Sequence, residues 1–308
     1  MARFSKWLAA AGALALVAGL SACAGTGGNG TDSTDAPAAD GDKYAGETIK
    51  VGVIGASDEY WTTFTEAAAA EGIDVELVDF TDYNQPNPAL SAGELHLNQF
   101  QHVLYLARYN VEAGDDLTPI GSTAIYPLGL YSTKHDSVDA IPEGATIGVP
   151  NDVTNQARAL LVLQSAGLIS LKDGGSAFST LQDIDEAASK VTVNEYQADL
   201  LANSLVDLDA AIINNDFITD AGLTAEDAIA EDDPADPAAL AYVNIWVSKA
   251  EDADNPTLLK LVEIYQTNAD VQQGVVDNSG GTAEMLSVPA GDLQEQLAVV
   301  EDDVRANG

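Results

Sequence analysis

From Glu47 onward, apolar and polar positions fall into short blocks of alternating period. ETIKVGVIG is a β-rich run closed by Gly55, and WTTFTEAAAAEG is a helical stretch ended by Gly72. IDVELVDF alternates apolar and polar residues as a strand does, and TDYNQPNPAL reads as a turn-rich loop. LSAGELHLNQFQHVLYLARYNVEAG predicts a short strand or turn running into a helix; helical spacing would set Gln99, His102 and Tyr105 on one face. PLGLYS and ATIGVP are short strands. NDVTNQARALLVLQSAGL is a helix, with Asp152 or Thr154 as its N-cap and Gly167 at its end. VTVNEY and LDAAIIN are strands around the short helix ADLLANSLV. AYVNIWVS is a strand, NPTLLKLVEIYQTNADVQQGV a helix and LQEQLAVVEDDV a last helix.

Strands alternating with helices of this length predict an α/β fold with parallel sheets. The blocks divide into two lobes with more than one crossing: 47–133 with 247–308 in lobe 1, and 134–246 in lobe 2. No internal repeat indicates a solenoid.

The first residues follow another pattern. Arg3 and Lys6 precede an apolar run from Trp7 to Leu20, shorter than the roughly 20 residues needed to span a bilayer. Residues 1–22 therefore read as a signal peptide. Leu20-Ser21-Ala22-Cys23 resembles a bacterial lipobox, which makes Cys23 the lipidated first residue of the mature chain. Residues 23–46, rich in Gly, Asp, Ser, Thr and Pro, continue as a flexible tether. The expected product is a monomeric body, lipid-anchored on the extracytoplasmic face of the cell membrane.

Composition narrows the functions open to that body. Against 49 Asp and Glu stand 12 Lys and Arg, a formal net charge of -37 over 308 residues. Nucleic-acid binding needs a basic footprint, and an anionic membrane surface would repel such a chain. Apolar residues make up 46%, ordinary for a globular body, and the single Cys excludes intramolecular disulfides and Cys-rich metal sites. Signal-peptide cleavage takes the 12 bases to 10 against the same 49 acids, a net of -39. Positive charge is scarce, so its positions carry information.

No catalytic set is visible. Gly52-Val53-Ile54-Gly55 lacks the third glycine of a dinucleotide fingerprint, Asp58 standing in its place, and fits a tight strand–helix turn. G-x-S-x-G, P-loop and H-E-x-x-H motifs are missing, and His96 and His102 lie six apart without a carboxylate cluster. Neither an enzyme, a cofactor nor a metal is expected. Arg158 stands out, read here in the first turn of a helix, where a cation opposes the helix dipole but completes an anion site. A ligand carboxylate and a surface salt bridge both remain open for it. Of the other mature-chain arginines, Arg305 lies in the tail and Arg108 reads as the exposed face of its helix. Asn214, followed by Asn215 and Asp216, ends a hydrophobic strand, where α/β sheets place ligands. Asn244 interrupts a strand and needs a partner or a cleft. Tyr83, Phe100, His102 and Tyr105 supply aromatic surface that suits either core or ligand.

Five segments, taken in order, resemble the methionine-binding lipoproteins of ABC importers, the NlpA family: FTDYNQPNPAL (80–90), GELHLNQFQHVLYL (93–106), PLGLYS (127–132), PEGATIGVPNDVTNQARALLVLQSAGLISLKDG (142–174) and LDAAIIN (208–214). The resemblance implies a two-lobed, type II periplasmic-binding-protein-like fold closing on an amino acid between the lobes. It implies that Arg158 takes the ligand carboxylate and that Asn214 and Asn244 bind its polar groups. Tyr83, Phe100, His102 and Tyr105 would then enclose a thioether, and an ABC permease with its ATPase would receive the ligand. IGASDEYWTTF lacks the family's Pro-His turn and Gln99 replaces a Phe or small residue, positions that would border the side-chain pocket. Another amino acid, a small peptide, or a non-transport surface or sensory role stay open beside methionine. Residues 291–308 lie beyond the resemblance.

Overall fold

The computed structural model describes residues 42–233 and 237–307; the expected signal peptide, Cys23 and most of the tether lie outside them. The chain opens with β1 (Ile49–Ile54), α1 (Glu59–Ala70), β2 (Val75–Phe80), α2 (Pro86–Ser91), β3 (Leu97–His102), α3 (Val103–Ala113), β4 (Thr118–Ser122) and β5 (Ala124–Ile125). It continues through β6 (Gly129–Tyr131), β7 (Thr146–Pro150), α4 (Val153–Ser165), β8 (Thr192–Tyr196), α5 (Ala198–Ser204), β9 (Ala210–Ile213) and β10 (Ala230–Glu231). It returns with β11 (Asn244–Ser248), α6 (Pro256–Thr267), α7 (Ala269–Asn278), β12 (Glu284–Met285) and α8 (Ala290–Asn307).

Two five-stranded sheets organise these elements, in the orders β2-β1-β3-β11-β4 and β10-β6-β9-β7-β8. Each defines one lobe of a two-lobed α/β fold. The sheets are mixed rather than purely parallel. β1 runs parallel to β2 and β3, while β11 is antiparallel to β3 and β4. In the second sheet β7 is parallel to β8 and β9, and β6 is antiparallel to β9 and β10.

The crossings fall earlier than the sequence suggested. β6 pairs with β9, so the chain has entered lobe 2 by Gly129, not at 134. All of β11 pairs within the first sheet, so the return precedes Asn244 rather than following 246. The connecting stretches are thus 126–128 and 232–243.

The period-two pleat sorts β11 between two layers. Trp246 joins Trp61, Phe64 and Tyr265 on the side of α1, α6 and α7, whereas Ile245 and Val247 face the cluster of α3 and α8. Gly121 in β4 permits close approach of α6, since a Cβ there would lie 2.3 Å from Val262 Cγ1. α8, beyond the residues that carried the resemblance, buries Leu293, Leu297, Val300 and Val304 against lobe 1.

Two local expectations change. TDYNQPNPAL holds a helix, α2, begun by Pro86 where no amide donor is needed. NQFQH is a strand, not a helix face, so Gln99 and His102 lie in β3 while Tyr105 lies in α3. All six residues of β3 are buried because Asn87, Asn98 and Gln101 satisfy one another. Asn87 Nδ2 donates to Gln101 Oε1 at 2.7 Å, Gln101 Nε2 donates back to Asn87 Oδ1 at 2.6 Å, and Asn98 Nδ2 donates to Asn87 Oδ1 at 2.9 Å.

The last tether residues are fastened to lobe 1. Lys43 Nζ donates to Asp252 Oδ1 at 2.9 Å and Tyr44 Oη to Asp252 Oδ2 at 2.6 Å. Asp42 accepts from Asn255 Nδ2 and Thr257 Oγ1 at 3.0 and 2.6 Å.

Candidate functional site

Arg158 stands in the second turn of α4 rather than the first, because Asp152 is the N-cap and Val153 the first helical residue. Asp152 accepts from the Asn155 backbone N–H at 2.9 Å, so the helix end is satisfied by its own carboxylate. The guanidinium points between the lobes. Its Nε donates to Asp232 Oδ2 at 2.6 Å, and its Nη2 to Asp232 Oδ1 at 3.1 Å and to the Tyr126 carbonyl at 2.8 Å. The Tyr242 ring lies 4.4 Å from its Cζ. Nη1 has no hydrogen bond among the described residues, which leaves one donor edge directed elsewhere.

That edge borders a narrow cavity between the sheets with about 40 Å³ of free space. Arg158, Asn214, Asn244, Tyr83, Phe100, His102 and Tyr105, all seven residues singled out in the sequence, line it. Gln99 does not; it is buried in β3, its Nε2 3.5 Å from Thr123 Oγ1. Nor does any residue of the segment 54–64 line it.

Asn214 directly follows β9, and its Oδ1 is buried without a hydrogen-bond partner. Such an orphaned acceptor costs about 1–3 kcal/mol until a donor reaches it. Asn244 begins β11 and faces the same space from the other sheet. His102 ends β3, and its Nδ1 accepts from the Tyr105 backbone N–H at 3.1 Å, which caps α3. The proton therefore sits on Nε2, directed at Asn155 Oδ1 at 3.4 Å. Burial, reinforced by the Arg158 charge, pushes the imidazole pKa down to about 3, so His102 is neutral.

The lobes touch across this space. Tyr83 Oη, from lobe 1, donates to Asp216 Oδ2 of lobe 2 at 2.7 Å, and the Tyr83 and Phe217 rings lie 5.4 Å apart. Gln197 Nε2 donates to Asp82 Oδ2 at 3.3 Å across the same seam. Tyr83, Phe100, Phe217 and Ile213 belong to one apolar cluster drawn from both lobes. Desolvation at the seam raises the Asp216 pKa to about 6, only partly countered by the Tyr83 hydroxyl, although the residue keeps exposed surface.

Sequence reasoning missed Tyr126, Asn155, Asp232 and Tyr242. Asn155 sits within the NDVTNQAR phrase, and its neighbours were the available signal. Asp232 is one acid among 49, with nothing in its surroundings to mark it. A second groove of about 240 Å³ adjoins the first, sharing Tyr83 and Tyr105 and reaching Arg108, Glu112 and Asp152. Arg108 is half-buried and pairs with Glu112, not fully exposed as expected. Among the described residues no group of His, Cys, Asp or Glu is placed to hold a metal ion, and no helix is long and apolar enough to cross a membrane.

A charge-balanced guanidinium with a free edge, an unpartnered amide oxygen and aromatic walls suit a small zwitterion with an apolar side chain. The sequence model of the NlpA lipoprotein family matches residues 49–284. A probable D-methionine-binding lipoprotein of Pasteurella multocida is 38% identical over 256 residues, covering 82% of this chain and 91% of its own. The D-methionine-binding lipoprotein MetQ of Escherichia coli is 39% identical over 225 residues, 71% of this chain and 82% of its own. A nutrient binding protein from Burkholderia cenocepacia bound to methionine superposes with a TM-score of 0.71 at 37% identity, covering 77% of this chain and 99% of that one. The substrate binding protein of a methionine transporter from Streptococcus pneumoniae gives 0.72 at 37% identity, over 78% and 95%. With the family match running from β1 into β12, the chain belongs to the NlpA lipoprotein family.

Proposed function

We propose that this chain is the extracytoplasmic, lipid-anchored substrate-binding protein of an ABC importer, and that it captures methionine between its lobes. The observation that carries this reading is an interlobe cavity that joins the free edge of Arg158 to the unpartnered Asn214 oxygen within aromatic walls. The carboxylate of the amino acid lies on Arg158 Nη1, its ammonium group on Asn214 Oδ1, and Asn244 adds a second amide. The thioether packs among Tyr83, Phe100, His102 and Tyr105, whose polarisable faces suit sulfur. His102 is neutral and Asp232 balances Arg158, so the ligand carboxylate meets hydrogen-bond donors at the Arg158 end without an unpaired cation there.

No bond is made or broken. Methionine binds the open form, stabilises the closed one through contacts with both lobes, and the permease with its ATPase reads that state. Cys23 carries the lipid that holds the monomeric body at the membrane. Isothermal titration of the purified protein with methionine tests the assignment; absence of binding at millimolar methionine would reject it. The adjoining groove beyond Tyr83 and Tyr105 favours a second reading, a short methionine-containing peptide. A thermal-shift panel of amino acids and dipeptides separates the two.

A further inference from the structure

Asp216 is the one carboxylate lining the cavity, and its role is not exhausted by the interlobe contact. Tyr83 Oη occupies only its Oδ2, at 2.7 Å; no hydrogen bond among the described residues engages Oδ1. The side chain keeps accessible surface in the cleft, two residues from Asn214, whose amide oxygen is the buried acceptor without a partner. The opposite charge in the cavity, Arg158, is already neutralised by Asp232. One negative charge is therefore left over on the side of the cavity that offers acceptors. A carboxylate and an amide oxygen together form a strong acceptor set for an ammonium group, and a charge-assisted bond there is roughly twice as strong as a neutral one.

We propose that Asp216 selects for the ligand's α-ammonium group, holding it on the carboxylate edge that Tyr83 leaves open, so that ammonium recognition and lobe closure become one event. This rests on the amino-acid-binding function proposed above. Because the same carboxylate is tied across the seam, an ammonium bound to it stabilises the closed state directly. The groups facing Asp216 are the Tyr83 hydroxyl, the phenols of Tyr60, Tyr126 and Tyr265, and the Asp58 carboxylate. The phenols are all held above their ordinary range by burial, so none titrates near neutrality. The Asp58 carboxylate is likewise raised by burial.

The test is calorimetric titration of the full-length protein in detergent, wild type and Asp216→Asn, with methionine and with its deaminated analogue 4-(methylsulfanyl)butanoate. Asn keeps the shape and the oxygen that Tyr83 needs, so only the charge is removed. At pH 7.5 the variant should weaken methionine about tenfold or more while leaving the analogue within about twofold. Wild-type affinity for methionine should fall between pH 7.5 and 5 as the carboxylate is protonated, and the variant should show no such fall. Asp58→Asn should keep the fall but move it to lower pH, because the Asp58 charge helps to raise the Asp216 pKa. Unchanged methionine binding in Asp216→Asn, or equal loss of both ligands, would overturn the proposal, the second outcome marking a purely structural contact. A wild type that binds no methionine would instead reject the proposed function itself, and this inference with it.

Discussion

Arg158 and Asp232 meet side by side, Nε to Oδ2 at 2.6 Å and Nη2 to Oδ1 at 3.1 Å, and so join α4 of lobe 2 to the second crossing. Nη2 also reaches the Tyr126 carbonyl in the first crossing. The guanidinium is thus held at both connections, and its free edge is oriented before any ligand arrives, which lowers the ordering cost of binding.

Arg158→Lys keeps the charge and loses the fork, so one ammonium cannot serve Asp232, the Tyr126 carbonyl and a ligand together. Methionine affinity should fall about tenfold in calorimetry. Arg158→Ala should cost several kcal/mol, because a buried carboxylate then lacks its partner. Unchanged binding in the Ala variant would remove Arg158 from the site.

Tyr83→Phe deletes the hydroxyl that bridges the lobes and leaves the aromatic wall in place. A lost bond worth about 1 kcal/mol corresponds to roughly a fivefold change, expected in ligand release rather than capture. Stopped-flow association and dissociation rates separate these; a change confined to the association rate would contradict the latch.

Asp252 is pulled in two directions. Burial raises its pKa, but the hydrogen bonds from Lys43 and Tyr44 outweigh burial and hold it below the usual carboxylate range. A depressed folded value stabilises the protein above the unfolded pKa of about 3.9, and that gain disappears as pH falls through the folded value. The stability gap between wild type and Asp252→Asn in urea should therefore be full at pH 7 and shrink below about pH 4. Tyr44→Phe should cost about 1 kcal/mol at neutral pH. A gap that is constant with pH would mean that the clasp is not ionic.

His102 has the opposite linkage. Its folded pKa of about 3 lies below the unfolded value near 6.5, so the unfolded chain takes up a proton that the native state refuses. Stability falls as pH drops from about 6.5 toward 3, and His102→Gln removes that component. Between pH 7.5 and 5 the wild type should lose up to ~2 kcal/mol more than the variant in urea titrations. Equal losses would show that the imidazole is protonated in the folded protein.

Phe64 is fully buried with its ring 5.5 Å from Trp246 and 5.6 Å from Trp61. Phe64→Ala should cost about 3–5 kcal/mol through the cavity it leaves. Thermal melting followed by tryptophan fluorescence reads both the loss and the loosened ring cluster.

Much of this was legible where local pattern and final environment agree. β1, α1, α4 and β9 carry their period plainly, and the NDVTNQAR phrase led to Arg158. Elsewhere tertiary partners overrode the pattern. β3 is polar in sequence yet buried throughout, because Asn87, fixed by the Pro-led α2, satisfies its amides. Asp232 and Tyr126 hold Arg158 from residues 74 and 32 positions away in the chain, a relation that no periodicity records. Gln99 sat within a recognised phrase but does not line the cavity; its amide lies against Thr123 instead, a pairing set by tertiary structure.

The two crossings, 126–128 and 232–243, also have a mechanical meaning. A body attached at two points keeps chiefly one freedom, rotation about the line that joins them. The clasp at Asp42–Tyr44 is built on Asp252, Asn255 and Thr257 of lobe 1, whereas α8 packs on lobe 1 with its last turn reaching Ala177 and Phe178 of lobe 2. Closure of the proposed binding cleft would then be a swing about a two-pin joint, and Arg158, bonded to both connecting stretches, would lie near its axis, where the arc of travel is shortest.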